Sequence, residues 1–326
     1  MDIRFRMAKP EDDATLIHFW RENGGWDELD QAAWDHRFNK APMGKARIVI
    51  AQHPETEELV GQLAFFPIKV TVNDMEGLGY RGFAVIIKKE REHFKGILGM
   101  KNITVGMNLY AADIFKEEGA TLIYHLPDPR WARWFNLLSH MRGASFPLYT
   151  FPIDEISKLE IKENYSSDTI PPSSDAIDNV WNNNQQMVKN SIVRDKKVLP
   201  WKISHGPFLY LGITKNEQLM GWATFIKREH SRQFLIGDII AMDTTSLKHL
   251  LIAVCKAVCK ELENDPEAKT KIDKVSILGA SWMLETLEGL GFKKNKYRFP
   301  FFIQQLDEKI DKKTIGPKNW FVCAND

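Results

Sequence analysis

The sequence predicts a mixed α/β protein made of two similar halves. In the first half, residues 47–51 and 59–66 flank a polar turn and have the pattern of a β-hairpin. The nearly continuous apolar run 82–87 follows, as expected of a strand in the middle of a sheet. A helix and another strand come next, and such a crossover joins parallel strands. Because the second half repeats this order, we expect two mixed, mostly antiparallel sheets, each with a central parallel β-α-β unit and flanking helices.

Composition and charge limit the partners and the compartment. The chain has 326 residues, which at roughly 150 residues per domain suggests two domains. Lys plus Arg is 44 and Asp plus Glu is 43, a net charge of +1, so we expect neither a nucleic acid nor a membrane surface as partner. Three cysteines fit a reducing compartment, and residues 1–13 carry no apolar signal core. We therefore expect a cytoplasmic protein without a membrane span.

The elements of the first half follow from apolar periodicity and turn residues. A strand is expected over residues 3–7, followed by a helix with an acidic start, and a second helix over 27–38. Asn73-Asp74 marks a turn before the strand at 82–87. A basic loop then leads into a helix that ends near Gly119. The half closes with a strand at 121–125, a tryptophan-rich helix at 131–140 and a strand at 146–151.

The polar stretch 159–174 is the predicted linker. It contains Pro171-Pro172 and two Ser-Ser pairs. We therefore expect a first domain over residues 1–158 and a second domain over residues 175–326. The second domain opens with a helix around 177–188. Its further elements are a hairpin at 208–213 and 218–226, a strand at 234–240, a helix at 246–262, a strand at 273–278, a helix at 282–290 and a strand at 297–303.

Three sequence similarities occur in the same order in both halves. Residues 58–66, ELVGQLAFF, match residues 218–226, QLMGWATFI. The segment FPLY that begins at Phe146 matches the segment FPFF that begins at Phe299, and the residues around Trp34 resemble those that start at Trp201. The shared order of the three pairs favours an internal duplication.

With these segments, the chain resembles the GNAT superfamily of N-acetyltransferases in a tandem, two-domain form. In the first half the resemblance is carried by the opening IRFRMAKPEDDATL, the hairpin strands IVIA and LVGQ, the strand FAVII, and the loop and helix after it. In the second half it is carried by QLMGW and by ETLEGLGF, which resembles the end of the family's fourth helix. The resemblance covers nearly the whole chain. It implies an acyl-CoA-dependent N-acyltransferase, with acetyl-CoA as the expected co-substrate.

The resemblance also implies where the acyl-CoA binds. In the family it lies where the parallel strands separate, with its pyrophosphate on a glycine-bearing loop before a helix. Free N–H groups and the helix dipole favour an anion there. In the first half this loop is residues 88–99, whose spacing differs from the family pattern; the alternative is a solvated basic loop. The predicted cofactor-binding residues are Val85, Ile86, Ile87, Arg91, Lys95, Gly96 and Gly99.

The equivalent stretch of the second half is less suited to a phosphate. Residues 243–249 contain no glycine, and Lys248 is the nearby cation. Thr244, Thr245 or Ser246 would cap the helix and occupy the N–H groups that a phosphate needs. We therefore expect the second domain to shape the acceptor cleft or to form a homodimer interface.

Acyl transfer to an amine needs a deprotonated amine, a polarised thioester carbonyl and alignment of the two. A backbone N–H near residues 86–88 could polarise the carbonyl. The tyrosine that many family members carry on the fourth helix is missing from both halves. The nearest substitutes are Tyr124 and His125, one of which should face the cleft because strand side chains alternate. His125 would titrate in a range useful for a base; alternatively, both residues pack or hydrogen-bond at the strand end.

The leading hypothesis is an N-acetyltransferase that moves an acetyl group from acetyl-CoA to a small-molecule or peptide amine by direct attack in a ternary complex. No metal is expected, because Cys255 and Cys259 lie on an apolar helix face and two thiols do not complete a zinc site. Two alternatives remain. One is a catalytically inactive GNAT-fold binding or interaction protein. The other is an aminoacyl-tRNA-dependent transferase, which the near-zero net charge disfavours.

Overall fold

The structure, a computed structural model, shows that the chain forms two compact units. The structure describes residues 3–24, 29–88, 97–129, 132, 135–136, 138–161 and 164–326. Unit 1 comprises Met1–Val70, Glu76–Gly143 and Phe301–Lys313. Unit 2 comprises Thr71–Met75, Ala144–Pro300 and Thr314–Asp326.

Unit 1 is built on a mixed sheet. Its strands are β1 (Arg4–Met7), β2 (Arg47–Gln52), β3 (Leu59–Val72), β4 (Met75–Ile87), β5 (Leu122–His125) and the end of β13 (Lys293–Gln305), adjacent in that order. β2 is antiparallel to both β1 and β3, and β5 is antiparallel to β13. β4 and β5 are parallel, with Gly79 opposite Leu122 and Gly82 opposite His125. The hairpin and the parallel pair predicted for the first half are both confirmed.

Helices cover the two faces of this sheet. They are α1 (Asp13–Asn23), α2 (Gln31–Trp34), which continues as a π-helical turn over Asp35–Asn39, and α3 (Ile97–Glu117). On α3, Ile103, Met107, Ala111 and Phe115 recur every four residues and are buried in one cluster with residues of β2 and β3. Phe115 stacks on Tyr80 of β4, with ring centroids 3.6 Å apart. Because side chains alternate along a strand, Phe83 lies on the opposite face, where it stacks with Trp20 of α1.

The helix predicted at 131–140 lies partly outside the described residues. Of this segment, Phe135 is buried in a small apolar cluster with Met141 and Phe302. None of the helices in the described ranges is long and apolar enough to cross a membrane.

Unit 2 also contains both parallel and antiparallel strands. Its further strands are β6 (Arg142–Pro152), β7 (Ser166–Asp168), β8 (Asn190–Ile192), β9 (Leu209–Lys215), β10 (Gln218–Arg228), β11 (Gln233–Ala241), β12 (Lys274–Leu278) and β14 (Trp320–Phe321). The strand order is β13-β6-β12-β11-β10-β9-β7. β11 and β12 are parallel, with Gln233 opposite Lys274 and Leu235 opposite Ser276. A short parallel pair, β8 with β14, adds to these, with Trp320 opposite Asn190. The prediction of a mixed α/β fold with a parallel β-α-β unit in each half is confirmed.

The helices of unit 2 include the crossover between the parallel strands. They are α4 (Ala176–Gln186), α5 (Val198–Ile203), α6 (Thr244–Asn264), α7 (Pro266–Lys271) and α8 (Leu284–Gly289). α6 joins β11 to β12. Its cap is Asp243, whose side chain accepts a hydrogen bond from the N–H of Ser246 at 2.6 Å. The prediction that a Thr or Ser caps this helix is therefore wrong, although a side chain does occupy an N–H group at the helix start.

The predicted domain boundaries do not coincide with the division into units. Ala144–Pro300 is one continuous part of unit 2, so residues 159–174 do not link the units. Within that stretch, β7 pairs with β9, where Ser166 lies opposite Thr214. The last predicted strand is longer than expected, and its end belongs to unit 1, where Phe302 is opposite His125.

Candidate functional site

The parallel strands of unit 1 separate at the level of Gly82 and His125. Their pairing ends there; β4 continues to Ile87, whereas β5 ends at His125. Ala84 has a φ of 55°, in the left-handed region that non-glycine residues seldom adopt. β4 is thus bent where it loses its neighbour, and no strand of the described part of the chain pairs with this edge beyond Gly82. This stretch, residues 83–87, is called the open edge of β4.

A pocket of about 340 Å³ opens at this separation. All of its lining residues belong to unit 1. Arg81, Gly82, Phe83, Ala84 and Val85 come from β4, and His125, Leu126, Pro127, Asp128 and Phe135 come from β5 and the residues after it. The lining is mainly apolar with a few polar side chains, which is typical of a small-molecule site.

Backbone hydrogen bonds show which N–H groups of β4 point to the open edge. The N–H of Lys88 donates to the carbonyl of Val60 on β3 at 3.0 Å. Successive residues of a strand direct their N–H groups to opposite edges, so Val85 and Ile87 direct theirs to the edge that β5 leaves. Of the N–H groups predicted near residues 86–88, that of Lys88 is therefore already used, and that of Ile87 points to an edge that no strand in the described ranges covers.

The predicted cofactor-binding residues of β4 have different surroundings. The side chain of Val85 lines the pocket. Ile86 and Ile87 are buried, and Ile87 packs in the cluster under α3. Of these three residues, only Val85 lines the pocket.

Part of the predicted phosphate loop lies outside the described residues. This applies to Arg91, Lys95 and Gly96. Gly99 lies in the first turn of α3, which begins at Ile97. Lys88 forms an ion pair with Glu58. A helix start does follow β4 in the chain, as predicted, but the Lys88 ammonium already has a carboxylate partner.

His125 is buried in the wall of the pocket and hydrogen-bonded there. Its Nε2 lies 2.9 Å from Oδ1 of Asn108 on α3. Because Nδ2 of that Asn108 donates to Oε1 of Gln304 at 2.6 Å, its oxygen accepts from His125, and the proton of the neutral imidazole lies on Nε2. Burial, and to a smaller extent the nearby His140, lowers the pKa of His125 to about 3. The expectation that His125 titrates in the range of a general base is therefore wrong.

Tyr124 faces away from the pocket. Its side chain is 1% exposed and lies beside Phe301, with ring centroids 5.7 Å apart. Tyr124 is not among the lining residues, whereas His125 is. Of the two predicted catalytic residues, only His125 is placed to touch a ligand in this pocket.

In unit 2, the corresponding separation of β11 and β12 is occupied by the chain's own residues. Beyond the last paired residues, Leu235 and Ser276, the backbone N–H of Asn325 donates to the carbonyl of Gly237 at 3.3 Å. The Asn325 side chain donates to Oδ2 of Asp238 at 2.9 Å. The segment around Asn325 thus fills the place that is open in unit 1.

Asp238 lies at the centre of a buried ion cluster in unit 2. Arg194 and Lys202 both pair with Asp238 and with Asp326, and all four side chains are at most 5% exposed. Burial alone would raise the pKa of Asp238, but Lys202 and Arg194 outweigh it, and the pKa is lowered. The cluster fixes the end of the chain against β11.

Two other predicted features were the cysteine stripe and the absence of a metal site. Cys255 is buried in the core of unit 2 with Val254 and Val258, and burial raises the pKa of its thiol to about 12. Among the described residues, no group of three or more His, Cys, Asp or Glu side chains is arranged to hold a metal ion.

Sequence reasoning missed Arg81, Asn108 and Gln304. A polar Asn108 among apolar residues of a predicted helix was a usable signal. Gln304 carried none, because its contact with Asn108 joins residues 196 positions apart in the sequence.

Several solved acyltransferase structures are similar to this fold. A GCN5-related N-acetyltransferase from Anabaena variabilis matches with a TM-score of 0.67 and 12% identity, over 93% of this chain and 73% of that one. A tandem GNAT protein from the clavulanic acid biosynthesis pathway matches with a TM-score of 0.55 and 13% identity, over 94% and 99%. N-myristoyltransferase from Saccharomyces cerevisiae, with bound myristoyl-CoA, matches with a TM-score of 0.55 and 10% identity, over 94% and 79%. No protein-family model matches the sequence, and no curated protein matches it.

These similarities bear on architecture. Each covers more than nine tenths of this chain, at identities of 10–13%. The tandem protein is matched over nearly its whole length. The chain therefore has the GNAT fold, in the tandem form that the sequence resemblance predicted.

Proposed function

We propose that unit 1 is a CoA-dependent acyltransferase domain that transfers an acetyl group from acetyl-CoA to an amine in the pocket beside β4. The observation that carries the proposal is the open edge of β4 next to a pocket of about 340 Å³. An edge with unpaired N–H and C=O groups suits an extended ligand with amide groups. The pantetheine arm of CoA, which contains two amides, is such a ligand.

The described residues suggest how the reaction proceeds. The neutral amine nitrogen attacks the thioester carbon, and the nitrogen of the resulting tetrahedral intermediate loses a proton to solvent. The C–S bond then breaks, and CoA leaves as a thiolate that takes up a proton from solvent. A backbone N–H at the open edge, that of Val85 or Ile87, would stabilise the oxyanion. His125 stays neutral, because its pKa is about 3, and therefore contributes a hydrogen-bonding wall rather than a base.

Neighbouring structures give further support for a CoA ligand. The yeast N-myristoyltransferase was solved with myristoyl-CoA, whereas the structure of the tandem GNAT protein is one without AcCoA. The acetyl group is our choice among acyl groups. Unit 2 is a poor candidate for the same role, because Asn325 binds Gly237 and Asp238 where the strands separate.

A second candidate is a binding protein without catalysis. The low pKa of His125 and the position of Tyr124 outside the pocket favour it, because neither side chain is suited to general acid–base work. The open pocket in unit 1 suits both candidates, so release of CoA from acetyl-CoA in the presence of an amine is what distinguishes the enzyme from the binding protein.

The test is calorimetric titration of acetyl-CoA into the wild type, Lys95→Glu and Lys248→Glu. Lys95 belongs to the predicted phosphate loop of the first half, and exposed Lys248 belongs to the equivalent stretch of the second. We expect binding to the wild type and to Lys248→Glu, and loss of binding in Lys95→Glu. Absence of binding to the wild type would overturn the proposal, and loss in Lys248→Glu alone would place the site in unit 2.

A further inference from the structure

An arginine in the wall of the unit 1 pocket has no acidic partner among the described residues. Arg81 is half-buried and lines the pocket. Within the described part of the chain, its guanidinium makes no hydrogen bond or ion pair, and its contact is with the ring of Phe83. Other arginines of unit 1 are paired: Arg6 holds Asp12 at 2.7 Å, and Arg47 holds Glu118 at 2.8 Å. Arg81 therefore presents a positive charge to the pocket.

The guanidinium of Arg81 is held in place. It lies over the Phe83 ring, 5.4 Å from the centroid, and a cation–π contact of this kind restrains the side chain without using its N–H donors. The planar fork remains available to hold a carboxylate through two parallel hydrogen bonds. Partial burial strengthens such a pair relative to one in open solvent.

The position of Arg81 separates it from the predicted phosphate loop. The loop starts at Lys88, seven residues further along β4, which is at most about 23 Å at about 3.3 Å per residue, since β4 bends at Ala84. Arg81 is therefore placed at the other end of the open edge from the CoA phosphates. An anionic group beside Arg81 belongs to the second substrate.

The rest of the lining indicates what carries that group. Apart from the carboxylate of Asp128 and the neutral ring of His125, it is apolar, with the side chains of Phe83, Val85, Leu126, Pro127 and Phe135. A small polar anion would leave this surface in contact with water, whereas an apolar body would cover it.

We propose that the acceptor is an apolar amino acid, that is, an amine that carries a carboxylate on an apolar frame, and that Arg81 binds this carboxylate. The proposal rests on the acyltransferase function proposed above. Arg81 would be a specificity-determining residue, which favours amino acids over the corresponding amines without a carboxylate.

The first test uses probes and does not depend on turnover. Phenylacetate and its neutral analogue phenylacetamide are titrated into the wild type, Arg81→Gln, Arg81→Lys and Arg4→Gln, with ligand-observed NMR as readout. Exposed Arg4 in β1 is the matched control. We expect the wild type and Arg4→Gln to prefer phenylacetate by at least about tenfold, as for a charge-assisted bond. Arg81→Gln should bind both probes equally, and Arg81→Lys should retain part of the preference. Equal binding or no binding of the probes by the wild type, or an unchanged preference in Arg81→Gln, would overturn the assignment.

The second test is CoA release from acetyl-CoA with phenylalanine or phenethylamine as acceptor. For the wild type, we expect a higher kcat/KM with phenylalanine than with phenethylamine. In Arg81→Gln, the KM for phenylalanine should rise, whereas the KM for phenethylamine should not change. If the wild type binds acetyl-CoA but does not prefer phenylalanine, the role of Arg81 is contradicted and the proposed acyltransferase function is not. A carboxylate site without acetyl-CoA binding would instead contradict the proposed acyltransferase function.

Discussion

Replacing Gly82 by alanine tests the packing that forms the wall of the pocket. A Cβ atom at Gly82 would lie 2.0 Å from Cε1 and 2.3 Å from Nδ1 of His125. The ring would have to retreat until the contact reached the ordinary 3.4 Å. It is held by the 2.9 Å bond to Asn108 and by Phe135, whose ring centroid is 4.9 Å away. The movement therefore breaks a buried hydrogen bond or displaces a packed aromatic ring.

The magnitude follows from these two costs. Overpacking of a core costs about 1–3 kcal/mol, and a buried hydrogen bond left unsatisfied costs about 1–3 kcal/mol. We expect Gly82→Ala to lower the free energy of unfolding by about 2–4 kcal/mol. At about 2–4 °C per kcal/mol, Tm falls by roughly 5–15 °C.

Urea unfolding and thermal unfolding measure the effect. Gly289→Ala is the control, because a Cβ there meets no atom within 4 Å, and it should change stability by less than about 1 kcal/mol. In the double variant Gly82→Ala/His125→Ala the clash is removed, so the two effects should be less than additive. A Gly82→Ala protein within about 0.5 kcal/mol of the wild type would refute the reasoning.

Three further predictions concern charge and titration. Asp238→Ala should lower the free energy of unfolding of unit 2, measured in urea, by about 3–5 kcal/mol, because it leaves buried Arg194 and Lys202 with one carboxylate fewer. The control Glu285→Ala, at an exposed position, should have little effect. Because the pKa of Asp238 is lower in the folded protein than in the unfolded chain, its contribution to the free energy of unfolding is fully present above the ordinary Asp pKa of about 3.9 and is lost as the pH falls through the folded-state pKa. If the stability of Asp238→Asn depended on pH as strongly as that of the wild type, this would be contradicted. The imidazole NMR signals of His125, assigned with His125→Gln, should stay constant between about pH 5 and 8, and a midpoint near 6.5 would disprove the burial argument. Cys255 and Cys323 should react with a thiol reagent at pH 8 only after unfolding, because burial raises the pKa of each to about 12; rapid reaction of the folded protein would count against it.

Local signals in the sequence were sufficient for the hairpins and the parallel pairs. The turn at Asn73 and Asp74 has positive φ at both residues, and so does the turn at Asn216 and Glu217, as type I′ hairpin turns require. The parallel pairing of β4 with β5 followed from the crossover helix between them. These features depend on residues that are close in the chain.

The domain boundary and the protonation state of His125 depend on contacts between residues that are far apart in the sequence. The end of β13 pairs with β5, nearly 180 residues earlier, and no local pattern indicates that. The burial of His125 results from Gly82, Asn108 and Phe135, which come from three separate segments. The sequence therefore predicted that His125 ends a strand beside the site, but not that its surroundings would keep it neutral.

Hydrogen–deuterium exchange with and without acetyl-CoA tests most directly the claim that the open edge of β4 holds the cofactor. Amides of Val85 and Ile87 point to that edge, whereas in unit 2 the carbonyl of Gly237 already accepts a hydrogen bond from Asn325. We predict that acetyl-CoA slows exchange in peptides covering residues 82–88 and leaves residues 233–241 unchanged. Protection of residues 233–241 alone, or no protection in either strand, would contradict the account.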